Sequence, residues 1–375
     1  MAQEKGKEKP IVAFLGPNAS YTHQAALSSF DSASYTLHPS TTIEDIFSAV
    51  QNGEAYRGVV PFENSSNGSV VFTLDLFADL HGKYPDILVC AEAYIAVQHC
   101  LLGHQRRQAS NPTSVAGNPI AFGHAGVYPH AHGLANVIES PLSSGAVTPT
   151  SKDPVPQKPA SRPVGDLSRI RKIYSHPQAW GQCKVFLNTY LKGIERQDVS
   201  STSRAAELVA QDPSGETAAV SSIIAAEIHG LKVLARGIED RGDNTTRFFI
   251  IRRKPATSTA TEDTSVSSMG ETEQADAGDR KAWKSLISFT IDHANPGALA
   301  HSLAVLEKYG LNLTSINTRP SGVENWNYIF FVEIQARKLE GTQEGAVNRA
   351  LGELDKVCSG WRWLGSWESR SGFVQ

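Results

Sequence analysis

The chain has 375 residues, of which 40% are hydrophobic and 19% charged, with a formal net charge of -3. That length exceeds one ordinary core and allows two or three domains, while scattered, nearly balanced charge excludes a polyanion-binding surface and points to small-molecule chemistry. Cys90, Cys100, Cys183 and Cys358 show neither metal-type pairing nor a disulfide framework, the N-terminal MAQEKGKEKP lacks a signal-peptide core, and no apolar run approaches the ~18 residues of a membrane span. The expectation is a soluble, cytoplasmic protein that engages neither membrane nor nucleic acid.

In chain order, Ile11–Leu15 is predicted as a short apolar strand running into Gly16-Pro17. A helix follows with Ala25, Ala26 and Phe30 on one side, then a second carrying Ile43, Ile46, Phe47 and Val50 behind the N-cap candidates Thr41-Thr42. Gly58–Phe62 is a buried-type strand, so strand alternates with helix as in an α/β domain with a largely parallel sheet. Ile87–Leu102 is rich in β-formers. From about 105 to 165 the composition turns to Pro, Ser, Gly, Ala and His without a sustained period, which is read as a long, partly disordered insertion. His124, His130 and His132 fall inside it, and without a packed scaffold they read as loop histidines rather than a metal site.

Order resumes with a strand at Ile170–Tyr174 and a helix from Pro177 through Tyr190. A helix at Ser203–Ala210, a strand at Ala218–Val220, a helix at Ile223–His229 closed by Gly230, and a strand at Arg247–Ile251 complete the region. The domain is bounded at 10–252, and the Ser/Thr/Glu/Asp-rich stretch 253–282 is a linker. Residues 283–370 then read as self-contained. Ile287, Phe289 and Ile291 alternate, Leu299, Leu303 and Leu306 repeat at helical spacing, and further strands at Leu311–Ile316, Tyr328–Ile334 and Trp361–Trp367 with a helix around Val347–Val357 give the order βαββαβ, a ferredoxin-like α+β plan.

Four segments place small polar residues at a predicted helix start: Gly16–Thr22, Glu63–Ser69, Ser175–Gln178 and Ser200–Ser203. Helix N-termini offer unpaired N–H groups and partial positive charge, and open α/β sheets bind ligands at strand carboxyl ends. Ser, Thr and Asn are equally good plain N-caps, so any one such start reads more readily as a cap. The repetition, with Asn244–Phe248 as a fifth polar segment, is what points to a small anion. No GxSxG elbow, HExxH, GxxxxGK or post-strand GxGxxG is present, which favours a lyase or binding protein over a hydrolase or dehydrogenase.

At these same segments the chain resembles the prephenate dehydratase family. Its GPxGTYS, VPxENSxxGxV, SHPQALxQC and NxTRF signatures appear as Gly16–Thr22, VPFENSSNGSV (Val60–Val70), SHPQAWGQC (Ser175–Cys183) and NTTRF (Asn244–Phe248). The C-terminal PGALAHSLAVLEKYGLNLTSINTRP looks like the family's phenylalanine-binding ACT domain, and the match covers most of 11–104, 166–252 and 283–367. The resemblance implies a two-subdomain, periplasmic-binding-protein-like dehydratase domain, with the site in its cleft, plus a ferredoxin-like ACT domain. It implies prephenate as substrate, phenylalanine as effector, a homodimer or homotetramer, and no metal or organic cofactor.

By the same resemblance Thr246 hydrogen-bonds the leaving hydroxyl, Phe248 shapes the pocket around the ring, and Arg247 pairs with a carboxylate, unless it is a surface cation at a strand start. Ser20, Tyr21, Asn64, Ser65, Ser175, Gln178, Thr202, Ser203 and Asn244 would line the substrate site, with Glu63 and His176 in support. Gly297, Ala298 and Leu299, with Asn317, Thr318, Arg319 and Pro320, would hold the effector. Two departures stand out: the family's glycine in GPxGTYS is Ala19, and its ESRP element is Asn317-Thr318-Arg319-Pro320. Two other readings stay open: an arogenate dehydratase, and a non-catalytic sensor of amino acids or carboxylates.

Overall fold

The computed structural model describes residues 9–104, 158–255, 283–339 and 344–370. His124, His130 and His132, nearly all of the 105–165 stretch and most of the 253–282 linker lie outside the described residues. Two compact units emerge, one of residues 1–97 with 243–375 and one of residues 98–242.

The first unit opens with β1 (Ile11–Leu15), α1 (Tyr21–Ser29), β2 (Thr36–Ser40), α2 (Ile43–Asn52), β3 (Arg57–Asn64), β4 (Gly68–Ser69), α3 (Val71–Ala78) and β5 (Ile87–Ala96). The second unit holds β6 (Cys100–Gly103), β7 (Lys172–Ser175), α4 (Pro177–Gln182), α5 (Lys184–Tyr190), β8 (Glu195–Asp198), α6 (Thr202–Gln211), β9 (Thr217–Ser221), α7 (Ile223–His229) and β10 (Lys232–Arg236). The chain returns to the first unit with β11 (Thr245–Arg253), then β12 (Trp283–Thr290), α8 (Ala298–Lys308), β13 (Leu313–Pro320), β14 (Tyr328–Ile334), α9 (Ala346–Leu354) and β15 (Gly360–Glu368).

Local chemistry explains the element ends. Thr42 and Asp45 form a reciprocal capping box at the start of α2, and Gly53 closes it in the left-handed region. Pro39 is tolerated because β2 is an edge strand. β1 runs parallel to β2 and β3, but β11 enters antiparallel between β3 and β5, so the sheet is mixed rather than largely parallel. In the second unit, β7 is parallel to β8 and β9 while β6 is antiparallel to β9 and β10, over a core that includes Ile173, Phe186, Leu187 and Val220.

The βαββαβ segment has the ferredoxin-like strand order β13-β14-β12-β15, yet it is not self-contained. One sheet face carries Ile287, Phe289, Val332 and Ile334 against Val305, Leu306, Leu351 and Leu354. The other face carries Leu286, Phe331, Leu364 and Trp367 into the same core as Phe62 and Phe249. β15 also pairs parallel with β5 at Gly365 and Val89, joining everything in this unit into one sheet. Gly365 permits that approach: its φ is +131°, and a Cβ there would overlap the Val89 carbonyl oxygen.

Candidate active site

In the first unit the carboxyl ends of the neighbouring parallel strands β1 and β3 meet the start of antiparallel β11. Ser20, Asn64 and Thr246 therefore lie along one sheet edge. Asn64 Oδ1 accepts from the backbone N–H groups of Ser66 and Asn67, both at 3.0 Å. Those two donors fix which way the amide points. Its Nδ2 then donates to Asn244 Oδ1 at 2.8 Å and to Thr246 Oγ1 at 2.9 Å. Ser65 Oγ accepts from Thr245 N at 3.0 Å and donates to the Asp243 carbonyl at 3.2 Å. Four of the residues anticipated from sequence, Asn64, Ser65, Asn244 and Thr246, are thus brought together. The half-buried Thr246 hydroxyl accepts a hydrogen bond and retains its own proton to donate.

Ser20 caps α1, accepting from His23 N and donating to the Leu15 carbonyl. Tyr21 packs partly against the Phe14, Ala25 and Phe248 group. Ala19 is fully buried at φ 71°, in the left-handed region, which is the physical reason a glycine suits this place. Its N–H donates to His23 Nδ1, and burial holds the stacked His23 imidazole below its ordinary pKa and so neutral.

Arg247, expected to pair with a substrate carboxylate or to be a surface cation, is buried among carboxylates of the protein itself. It is 7% exposed, and its Nε and Nη2 donate to Glu92 Oε2 at 2.9 and 2.6 Å while Nη2 also reaches Glu333 Oε2 at 2.5 Å. Lys284 completes the cluster, 3.3 Å from Glu92 and 3.5 Å from Glu333. Burial pushes the Glu92 carboxyl up, but Arg247, Lys284 and the Arg370 N–H outweigh it and hold it below its ordinary value. For Arg247 burial opposes the charge, yet the two glutamates drive its pKa above the ordinary value. Phe248, expected at the substrate ring, is 1% exposed in the core with Phe14, Ala25 and Ala26, because Arg247 and Phe248 point to opposite faces of β11. Sequence reasoning missed Glu92, Lys284 and Glu333. The signal was a single charge in each of three otherwise uncharged, largely buried strands, where a buried charge requires a partner.

The second unit places Ser175, Gln178, Thr202 and Ser203 around the carboxyl ends of β7 and β8. Ser175, expected as a ligand, is fully buried with its hydroxyl given to the Val220 carbonyl at 2.8 Å. Gln178 is exposed and its N–H donates to His176 Nδ1, the cap of α4. The cap of α6 is Ser201, with Thr202 first in the helix and Ser203 buried beneath it.

In the βαββαβ segment a pocket of about 510 Å³ opens at the start of α8, lined by Gly297, Ala298 and Leu299 with His293, Asn295 and Leu303. Asn317, Thr318, Arg319 and Pro320 do not line it. Along β13, Asn317 and Arg319 face α3 and the Asn64–Ser69 loop. Asn317 Oδ1 accepts from Ser69 Oγ at 2.6 Å, and Arg319 grips Asp75 with two hydrogen bonds of 2.5 and 3.0 Å. Thr318 and Pro320 alternate outward and are exposed. Among the described residues no group of three or more His, Cys, Asp or Glu is placed to hold a metal, all four cysteines are free, and no helix is long and apolar enough to cross a membrane.

A family profile for prephenate dehydratase matches residues 12–158 and 150–256. The chain is 32% identical over 362 residues to the bifunctional chorismate mutase/prephenate dehydratase of Aquifex aeolicus, spanning 96% of this chain and 74% of that protein. The chain belongs to the prephenate dehydratase family. As such it is a carbon–oxygen lyase of phenylalanine biosynthesis, and its reaction is the decarboxylating dehydration of prephenate. A prephenate dehydratase from Arthrobacter aurescens, described in complex with L-Phe, superposes with a TM-score of 0.66 at 24% identity over 96% of this chain and 90% of that one. A protein described as a novel type of quorum-quenching acylase reaches the same TM-score at 23% identity, over 97% of this chain and 99% of that one. The shared fold by itself therefore carries no activity, and the prephenate dehydratase assignment rests on sequence.

Proposed function

We propose that Thr246 is the catalytic residue of this prephenate dehydratase and acts by donating its hydroxyl proton in a hydrogen bond to the departing ring hydroxyl. The carrying observation is the Asn64 amide. Its oxygen is held by two backbone donors, its nitrogen donates to Thr246 Oγ1, and the threonine proton is thereby directed elsewhere.

The reaction needs no base. The electron pair of the ring carbon–carboxylate bond moves into the cyclohexadiene as carbon dioxide leaves, and hydroxide departs from the opposite ring carbon. Aromatisation supplies much of the drive. What lowers the barrier is stabilisation of charge growing on the leaving oxygen, and a positioned neutral donor does that without transferring its proton outright. A threonine hydroxyl is far too weak an acid for free proton transfer, so solvent provides the proton that turns hydroxide into water. Ser20, Tyr21, Asn64, Ser65 and Asn244 shape the surroundings of that donor. Within the second unit, Gln178 and Thr202 are helix-start groups of the kind that hold small anions.

Phenylalanine is inferred as effector at the pocket beside Gly297, Ala298 and Leu299. The start of α8 has no side-chain cap, so its N–H groups suit an amino-acid carboxylate, and Leu299 and Leu303 suit an aromatic ring. The ACT-domain resemblance and the L-Phe complex of the Arthrobacter aurescens protein support this reading. Turnover is tested by following phenylpyruvate absorbance from prephenate, with arogenate assayed in parallel. Turnover of prephenate is the expected result. Preference for arogenate would move the substrate to its aminated form, and inactivity of folded protein toward both would overturn the reading.

A further inference from the structure

Thr246 sits two residues before a β11 position where the neighbouring strand β3 bulges. At its start β11 keeps regular register with β5, where Thr246 opposes Ile95 and Arg247 opposes Tyr94. On β3 the register slips between Arg247, opposite Glu63, and Phe248, opposite Pro61. The extra residue is Phe62 of β3, and because the ladder is locally disrupted there, side-chain contacts help to hold the two strands in place.

The Arg247 side chain is the fixed element there. Its guanidinium lies 4.9 Å from the Phe249 ring centroid and 5.4 Å from that of Phe62, inside the hydrogen bonds to Glu92 and Glu333. Glu92 belongs to the adjacent strand β5. Glu333 comes from β14 and is itself held, since Thr314 Oγ1 donates to its Oε1 at 2.7 Å. With Lys284 the group holds two cations and two anions, so loss of one carboxylate leaves a buried positive charge uncompensated.

We propose that Glu333, carried by the C-terminal βαββαβ segment, is a positioning residue for the dehydration: it locks Arg247, which packs against the bulge residue Phe62, and thereby the start of β11 that carries Thr246. The proposal rests on the assignment of Thr246 as donor to the leaving hydroxyl. It gives the C-terminal segment a part in basal turnover, independent of any effector. Displacement of a reacting group by about 1 Å costs on the order of 10²-fold in rate, so even partial relaxation of Arg247 is measurable.

The test uses the full-length chain. Glu333→Gln keeps the shape and removes the charge, and kcat is expected to fall by about tenfold or more with KM for prephenate nearly unchanged. Glu333→Gln combined with Lys284→Met removes one anion and one cation, restoring charge balance and folding stability, while Arg247 still lacks its second carboxylate. In that double variant kcat is expected to stay low although the melting temperature recovers. If Glu333→Gln alone fails to fold, the double variant decides the matter. Recovery of kcat together with stability would reduce Glu333 to a structural residue and overturn the proposal, as would Glu333→Gln activity at the parent level. Thr246→Val run alongside separates the two readings, because full activity in that variant refutes the role of Thr246 whatever Glu333 does.

Discussion

At the scale of single residues, opposing energies decide which departures are tolerated. Ala19 occupies the left-handed region, which costs an alanine roughly 1–2 kcal/mol. Glycine would relieve that strain, but it loses more backbone entropy and gives up the burial of a methyl group, about 0.5–1 kcal/mol each. Ala19→Gly is therefore expected to change stability by less than about 1 kcal/mol, whereas β-branched Ala19→Val, forced to positive φ, is expected to cost about 2 kcal/mol or more by urea denaturation. Glu92 gives a pH dependence of known sign. Its folded carboxyl lies below the ordinary 4.5, so its stabilising contribution is complete above that value and is lost as pH falls toward the folded pKa. Denaturation midpoints between pH 3 and 7 are expected to fall on the acid side in the parent. They should fall less in Glu92→Gln, and an equally steep acid limb in that variant would count against the assignment.

At the scale of elements, Gly365 carries the junction between β15 and β5. Gly365→Ala forces a Cβ into the Val89 backbone and is expected to destabilise by on the order of 2–3 kcal/mol, with hydrogen exchange accelerating in β5 and β15 together. Acceleration confined to β15 would mean the two strands are not cooperatively joined. Elements with strong apolar patterns were legible beforehand, among them the strands Ile11–Leu15 and Tyr328–Ile334, and the helix Ile223–His229 with its closing Gly230. Glu195–Asp198 was not, since β8 is an exposed ERQD strand without an apolar position. The helix anticipated from Pro177 to Tyr190 is two helices, α4 and α5, broken at Cys183 where the backbone leaves helical geometry. Side-chain periodicity does not report such a break.

At the scale of the whole molecule, the family was readable, and the union of the βαββαβ segment with the first unit was not. The alternation of Ile287 and Phe289 reveals one buried face. The second face, Leu286, Phe331 and Trp367, is also apolar, and a sheet buried on both sides reads as a continuous hydrophobic run. The burial of Arg247 was hidden for a different reason: its partner Glu333 lies 86 positions away. The pocket beside Gly297 provides a test at this scale. Phenylalanine at millimolar concentration is expected to raise the melting temperature and lower prephenate turnover, and Gly297→Val is expected to abolish both responses. A phenylalanine response that survives in Gly297→Val would place the effector elsewhere.

The most direct measurement is the kcat of Thr246→Val, which preserves the shape of the side chain and removes its hydroxyl. If Thr246 donates to the departing hydroxyl, kcat for prephenate falls by about 10²-fold or more with KM little changed, and Thr246→Ser retains most of the activity. A folded Thr246→Val enzyme within about threefold of the parent, a loss far below that of one transition-state donor, would contradict the mechanism.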